Sequence, residues 1–98
     1  MVVEYIRYTI PVDRVSAFEQ DYAAARSALD ASRHCLGYEL ARGVEEPTNF
    51  ILRIEWDSID GHEQGFRRSP EFRQFFQHVR PYVREIAEMR HYAPVFSG

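Results

Sequence analysis

The chain has 98 residues, of which 45% are hydrophobic and 28% are charged, and these values predict a single globular domain over residues 1–98. The formal net charge of −3 gives no electrostatic reason to expect nucleic acid or an acidic membrane surface as a partner. All basic residues are arginines, which excludes lysine chemistry, and the lone cysteine, Cys35, cannot form an internal disulfide. Because no signal peptide or membrane-spanning stretch is visible, we expect a cytoplasmic protein.

The first half of the chain predicts a strand, a helix and a second strand. Residues Val2–Ile10 alternate between two faces, and Pro11 ends this strand. Residues Val12–Ala31 carry apolar side chains at spacings of three and four, which predicts an amphipathic helix. Residues His34–Val44 predict a strand with Leu36, Tyr38 and Leu40 on one face, followed by a polar, proline-containing turn.

The stretch from Asn49 to Val79 organises the second half. A third strand is predicted from Asn49 to Trp56, because every second residue is apolar and these residues share one face. Ser58 is a candidate N-cap for a short helix. Ser69-Pro70 starts another helix. The first helix is expected to align Ile59, Glu63 and Phe66, and the second to align Phe72, Phe75, Phe76 and Val79.

The end of the chain predicts a break followed by a last strand. Pro81 cannot continue a helix without disruption, so the second short helix should end near Arg80. The alternation over Glu88–Val95 predicts the fourth strand. The resulting order, β-α-β-β-α-β, is that of an α+β ferredoxin-like fold, an antiparallel sheet with helices on one face.

The other face of this sheet is expected to carry apolar side chains among charged ones. Tyr5, Ile51 and Tyr92 should lie there together with Arg7 and Arg53. A face of this mixed character is better explained when a second sheet covers it. The sequence therefore predicts a homodimer.

At this point the chain resembles the antibiotic biosynthesis monooxygenase superfamily of small dimeric α+β barrel proteins. The residues that carry the resemblance are the first strand VVEYIRYTIP, the helix VSAFEQDYAAARSAL and, above all, ILRIEWDSIDGHEQGFRRSPEFRQFFQHV. The resemblance covers nearly the whole chain and depends on the order and spacing of these segments. It implies a homodimer whose sheets pack face to face, with a pocket between sheet and helices in each protomer.

The resemblance implies a cofactor-independent monooxygenase that oxidises a planar phenol or quinol. Some members of the superfamily instead bind and degrade haem with an Asn, a Trp and a His at positions that correspond here to Ile6, about Phe66 and about Phe76. None of these three side chains matches that pattern, although His78 lies two residues beyond Phe76. Haem is therefore not expected, and a non-catalytic ligand-binding or regulatory dimer of the same fold is the main alternative.

An oxygenase without a cofactor needs an apolar pocket and a group that handles the phenolic proton. His62 and His78 flank apolar helix stripes and are candidate catalytic residues, since histidine titrates near neutral pH, and Tyr38 could present its hydroxyl. His91 is a candidate for the dimer interface. The histidine spacing suggests no metal site. The candidate pocket walls, each of which could equally be simple core, are Ile6, Tyr8, Leu52, Ile54, Phe66, Phe72 and Phe76.

Overall fold

The computed structural model describes residues 1–98 as one four-stranded antiparallel sheet with helices on one face, which confirms the predicted ferredoxin-like fold. None of the helices combines the length and apolar character that a membrane span requires. The strands, in the sheet order β2-β3-β1-β4, are β1 (Val2–Thr9), β2 (Cys35–Arg42), β3 (Asn49–Trp56) and β4 (Ile86–Tyr92). The longer helices are α1 (Val15–Ala31) and α2 (Pro70–Val79). Shorter helical turns cover Val12–Arg14, Gly61–Gly65, Phe66–Arg68 and Arg80–Glu85.

The core lies between the sheet and α1, where aromatic rings fill the space. The period-two alternation of β1 and β3 places their apolar side chains on the helix-facing side, as predicted. Phe18 of α1 is fully buried, with its ring centroid 5.0 Å from that of Tyr8 and 4.8 Å from that of Phe50. The sheet around Phe18 is therefore closely packed, whereas open space remains beneath α2 and between α1 and β2.

The prediction that Leu36 shares a face with Tyr38 and Leu40 is wrong. Cys35 pairs with Trp56, and Gly37 pairs with the adjacent residue, Glu55. Leu36 therefore has no partner in β3 and is an extra residue in β2. Such a bulge interrupts the alternation of side chains. Leu36 is 58% exposed as a result, while Tyr38 and Leu40 remain half-buried on the helix-facing side.

The predicted bounds of the last strand are also wrong, since β4 ends at Tyr92 and Val95 is almost fully exposed. Between β1 and β4, Glu4 pairs with His91 and Tyr5 pairs with Arg90. His91 therefore points to the same side of the sheet as Glu4, towards the helices. The expectation that His91 belongs to the dimer interface on the opposite face is corrected by this register.

The segment after β3 is helical, but its residues do not align as predicted. The N–H of Phe66 bonds to the carbonyl oxygens of both Gly61 and His62, which defines a π-helical turn, wider than an α-helical one. The wider turn exposes Ile59 and buries His62, of which only 3% is exposed. The predicted break near Pro81 is confirmed, because α2 ends at Val79.

Candidate active site

A cavity of about 200 Å³ lies between the helix-facing side of the sheet and the segment that runs from the π-helical turn to β4. Its inner end consists of Glu4 and Trp56, which are almost fully buried. Its outer end is lined by Phe76, Val83 and Met89, which are 36%, 45% and 46% exposed. The cavity thus leads from solvent to a buried polar end.

Aromatic rings form one wall of this cavity. The ring of Phe66 packs edge-on against that of Phe72, with centroids 5.6 Å apart. Phe72 in turn stacks on Phe76 at 5.5 Å and an angle of 22°, and the Arg67 guanidinium lies 5.6 Å from the Phe72 centroid. Flat rings pack favourably on such a surface, so the wall suits a planar aromatic ligand.

Glu4, Trp56 and His62 form the polar inner end, and His91 contacts His62 from β4 without lining the cavity. The Trp56 Nε1–H donates a hydrogen bond of 3.0 Å to Glu4 Oε1, and His62 Nε2 lies 3.5 Å from the same oxygen. The other nitrogen of His62, Nδ1, is 2.7 Å from His91 Nε2. His62 therefore contacts both Glu4 and His91, and the three side chains form a compact cluster.

Strand alternation and the π-helical turn account for the positions of these groups. Glu4 has the same parity in β1 as Ile6 and Tyr8, so its carboxylate is directed towards the helices. His62 reaches the cavity because the π-helical turn rotates it inward, where it stacks on Trp56 with ring centroids 4.4 Å apart and an angle of 8°. The indole thus fixes the imidazole plane and bonds to the adjacent carboxylate.

Two glycines and one side-chain hydrogen bond hold the π-helical turn against the sheet. His34 Nδ1 lies 2.9 Å from Asp57 Oδ2. A Cβ atom on Gly65 would lie 2.4 Å from His34 Nε2, and one on Gly61 would lie 1.8 Å from Asp57 Oδ1. Only glycine at these two positions allows the pair to pack this closely against the turn that carries His62.

Burial favours the uncharged forms of the two innermost groups. It raises the pKa of the Glu4 carboxyl, an effect that the hydrogen bond from Trp56 and the charges of His91 and Arg67 oppose. Burial also lowers the pKa of His62 to about 4, and the charges of Arg67 and His91 act in the same direction. A neutral imidazole has one donor and one acceptor nitrogen, which suits a position between two partners.

Glu4, His62 and His91 are also close enough to be considered for a metal, because one ligand atom from each lies within 4.8 Å of the others. His62, however, offers a different ring nitrogen to each neighbour. His62 would have to give up its contact with one neighbour in order to bind a metal together with both of them. Because the His62–His91 contact has hydrogen-bond length, the arrangement fits a hydrogen-bonded histidine pair beside a carboxylate.

The structure brings together seven of the ten residues that the sequence suggested for the site. Tyr8 lines the cavity with its ring, but its hydroxyl is hydrogen-bonded to that of Tyr22, and burial raises its pKa to about 12. The hydroxyl is thus occupied within the core. The seven cavity residues are Ile6, Tyr8, Ile54, His62, Phe66, Phe72 and Phe76.

The other three suggested residues lie elsewhere. Tyr38 and Leu52 line a separate cleft of about 320 Å³ between α1 and β2. The Tyr38 hydroxyl donates a 2.7 Å hydrogen bond to Asp30 Oδ1 at the protein surface. His78 is half-buried on α2 and lines neither the cavity nor the cleft.

Sequence reasoning did not assign Glu4, Trp56, Arg67 and His91 to the site. The signal for Glu4 was available, since it is the one charged side chain on the buried face of β1. Trp56 likewise shares the apolar face of β3. The assignment of His91 to the site depends on how β4 pairs with β1, and this register cannot be read from the local pattern of β4.

Comparisons with known proteins agree on the fold and the family. The family model for antibiotic biosynthesis monooxygenase matches residues 1–78. The uncharacterized protein YczJ of Bacillus subtilis is 22% identical over 78 residues, which are 80% of this chain and 82% of YczJ.

Two crystal structures extend the comparison to three dimensions. A Bordetella bronchiseptica protein assigned to the antibiotic biosynthesis monooxygenases is 26% identical, with a TM-score of 0.78 and 97% of each chain covered. A point mutant of SnoaB, a cofactor-independent oxygenase from Streptomyces nogalater, is 14% identical, with a TM-score of 0.80 and coverage of 98% of this chain and 94% of its own. The order of elements, the sheet and the family match together lead to one conclusion: the chain belongs to the antibiotic biosynthesis monooxygenase family.

Proposed function

We propose that the protein is a cofactor-independent monooxygenase that oxidises a planar phenol or quinol in the cavity beneath α2. The observation that carries this proposal is the position of the buried Glu4 and His62 side chains at the inner end of an aromatic-walled cavity. The family membership and the fold shared with SnoaB, which is itself a cofactor-independent oxygenase, support the reaction class.

The shape of the cavity orients the substrate. Exposed apolar residues, among them Phe76 and Met89, surround the outer end, whereas polar groups occur at the buried end. A phenol that enters with its hydroxyl first would place its ring against Phe72 and its oxygen near Glu4. Drug-sized ligand pockets occupy about 300–1,000 Å³. The cavity of about 200 Å³ is smaller and suits one or two fused rings.

The chemistry needs little from the protein beyond deprotonation and exclusion of water. Loss of the phenolic proton gives an electron-rich phenolate, which donates one electron to dioxygen. The two radicals combine at the para carbon to form a peroxide on the substrate. Cleavage of the O–O bond and loss of the para hydrogen leave a para-quinone and hydroxide, which takes up one proton from solvent to become water. One dioxygen molecule thus supplies one quinone oxygen and one water oxygen.

In this proposal the proton is taken up at the Glu4–His62 pair. The contacts of Glu4 with Trp56 and His62 use Oε1, which leaves Oε2 available to a ligand in the cavity. His62 is the candidate catalytic residue from the sequence that retains this role. His78 and Tyr38 are not included, because neither lines this cavity.

A homodimer forms part of the proposed functional unit. The open face of the sheet carries Tyr5, Ile51 and Tyr92, which are 36%, 41% and 48% exposed. Tyr5 and Tyr92 pack edge to face with centroids 5.5 Å apart, so the patch is continuous across β1 and β4. A second copy that packs its own sheet here would remove these rings from water. The proposed location of this dimer is the cytoplasm.

Oxygen uptake by the metal-free protein tests the proposed reaction. The assay offers α-naphthol and related bicyclic phenols and follows dioxygen with an electrode while the quinone is followed by absorbance. We expect uptake in proportion to protein concentration, one quinone for each dioxygen consumed, and no accumulation of hydrogen peroxide. If the phenols bind but no member of the panel is consumed, the non-catalytic ligand-binding dimer replaces the oxygenase.

A further inference from the structure

The inner end of the cavity connects to the edge of the sheet through a row of titratable side chains. Glu4 lies on the inner strand β1, and His91 lies directly opposite it on β4, which is an edge strand. His62 bridges the two through its separate ring nitrogens, at 3.5 Å from Glu4 Oε1 and 2.7 Å from His91 Nε2. Titratable groups therefore lead outward from the cavity, and the His62–His91 contact among them is a hydrogen bond.

Exposure increases along this path. Glu4 and His62 are 2% and 3% exposed, whereas His91 is half-buried. A charge on either inner residue loses most of its hydration, while a charge on His91 keeps part of it. Proton transfer along the path would leave the positive charge at the one member that water reaches.

We propose that Glu4, His62 and His91 form a proton relay that carries the phenolic proton from the buried end of the cavity to solvent at the β4 edge. This inference rests on the proposed function, because it assigns a route to the proton that the oxygenase reaction removes. The relay adds His91 to the Glu4–His62 pair that takes up the proton in the proposed function.

The proton transfers balance when Glu4 and His62 begin as neutral groups. The substrate O–H passes its proton to Glu4 Oε2 as Glu4 Oε1 passes its own proton to His62 Nε2. His62 Nδ1 then passes its proton to His91 Nε2. The products are a phenolate and a protonated His91, which releases a proton to water. Glu4 and His62 remain neutral, although the positions of their protons have changed.

The distances and surrounding charges are compatible with this sequence. The 2.7 Å contact between His62 and His91 is of hydrogen-bond length. The 3.5 Å separation of Glu4 and His62 is at the outer limit, and catalytic hydrogen bonds often shorten when the substrate is bound. Of the other charged groups, Arg67 lowers the pKa of both Glu4 and His62, and Glu63 raises the pKa of Glu4, so only the effect of Arg67 on Glu4 opposes the neutral forms that burial favours.

Nuclear magnetic resonance of histidine labelled with the heavy nitrogen isotope tests the relay without a substrate. Near neutral pH, the relay requires a neutral His62 with its proton on Nδ1 and a bare Nε2. It also requires the His91 Nε2 signal to change when His62→Gln removes its partner. A cationic His62, a proton on Nε2, or an unchanged His91 signal would overturn the relay. Saturable Zn²⁺ binding that engages both histidines would overturn it in favour of a metal centre.

A bound phenol then tests proton transfer separately from oxidation. Under anaerobic conditions, para-nitrophenol reports its own ionisation by absorbance, and a pH indicator reports protons released to water. In the wild type we expect bound probe to ionise with stoichiometric proton release. His91→Gln keeps a hydrogen-bond acceptor but cannot carry the proton, and should slow proton release about 100-fold, within the range of general-base effects, without weakening binding.

His78→Gln is the matched control, because it also replaces a half-buried histidine by glutamine but lies outside the cavity. It should leave ionisation and proton release unchanged. Release from His91→Gln at the wild-type rate would overturn the relay, as would an equal loss in both variants. Because no dioxygen is present, a protein that ionises the probe but oxidises no phenol would contradict the proposed function and leave the relay supported.

Discussion

Trp56 and His62 stack with their ring planes at 8° and their centroids 4.4 Å apart, and this contact connects the fold to the chemistry of the site. The indole covers one face of the imidazole and also donates its Nε1–H to Glu4. One fully buried side chain on β3 therefore orients both proton-handling groups. Because water has little access to either group, their interactions are stronger than they would be at the surface.

The packing of Gly65 against His34 predicts strong coupling between these positions. Gly65→Ala places a methyl group 2.4 Å from His34 Nε2 and should displace the imidazole from Asp57, with a loss of about 1–3 kcal/mol in the free energy of unfolding. In a His34→Ala background the three atoms nearest to this methyl group are absent, so the loss should be much smaller. Urea unfolding of the four proteins in this double-mutant cycle measures the coupling.

Gly98→Ala serves as the control for that cycle, because no atom lies within 4 Å of a Cβ at this position. It should leave the free energy of unfolding unchanged. An equal loss for Gly65→Ala in the presence and absence of the His34 side chain would contradict the packing described for the π-helical turn.

The two ends of the aromatic wall should respond differently to truncation. Phe66 is 2% exposed, so Phe66→Ala should destabilise the protein by about 3–5 kcal/mol. Phe76 is 36% exposed at the mouth of the cavity, and Phe76→Ala should have a much smaller effect on stability. Thermal and urea unfolding provide the comparison. Equal losses at the two positions would show that Phe76 belongs to the core instead of the mouth.

His62 should make stability depend on pH below neutrality. Its folded-state pKa of about 4 lies below the ordinary value of 6.5, so the unfolded chain binds the proton first as the pH falls. The contribution of the neutral His62 to the free energy of unfolding is fully present above pH 6.5 and is lost as the pH falls from 6.5 to 4. From about pH 7 to about pH 4.5, the wild type should lose about 1–3 kcal/mol more than His62→Gln.

Glu4 does not obscure this comparison. Its raised pKa acts in the opposite direction, because the folded state then binds the proton more readily than the unfolded chain and loses stability as the pH rises. Glu4 is present in both proteins, so the difference between them isolates His62. Parallel pH profiles from urea unfolding would contradict a neutral, buried imidazole.

The open face of the sheet should control association. Ile51→Glu introduces a charge at the centre of this face, and sedimentation equilibrium should then show a large shift from dimer to monomer. Ile59→Glu is the matched control, because Ile59 has similar exposure, 45% against 41%, but precedes the π-helical turn and lies outside the sheet. A monomeric wild type, or equal association of both variants, would contradict the proposed homodimer.

Much of the fold could be predicted because β1, β3 and α1 each keep a regular period, and each buries one face. The phenylalanines of the cavity wall followed from the same patterns. Leu36 was placed incorrectly because a bulge adds one residue to β2, and this insertion has no clear signature in the alternation.

The polar end of the site was harder to predict for physical reasons. His62 becomes buried through a π-helical turn, whose wider geometry a 3.6-residue period does not describe. His91 meets His62 only through the long-range pairing of β4 with β1. Glu4 could have been assigned to the site from its position in the alternation of β1. A carboxylate on the buried face of a strand is costly unless it has polar partners.

Oxidation of α-naphthol under isotopically heavy dioxygen tests whether the cavity beneath α2 is an oxygenase active site. We expect the metal-free wild type to form a quinone that carries one heavy oxygen atom from the gas. The rate should be about 10²–10⁴-fold lower for Glu4→Gln and His62→Gln, while His78→Gln should retain the wild-type rate. A quinone without heavy oxygen, or formation at the same rate by all four proteins, would contradict the assignment of this cavity as an oxygenase active site.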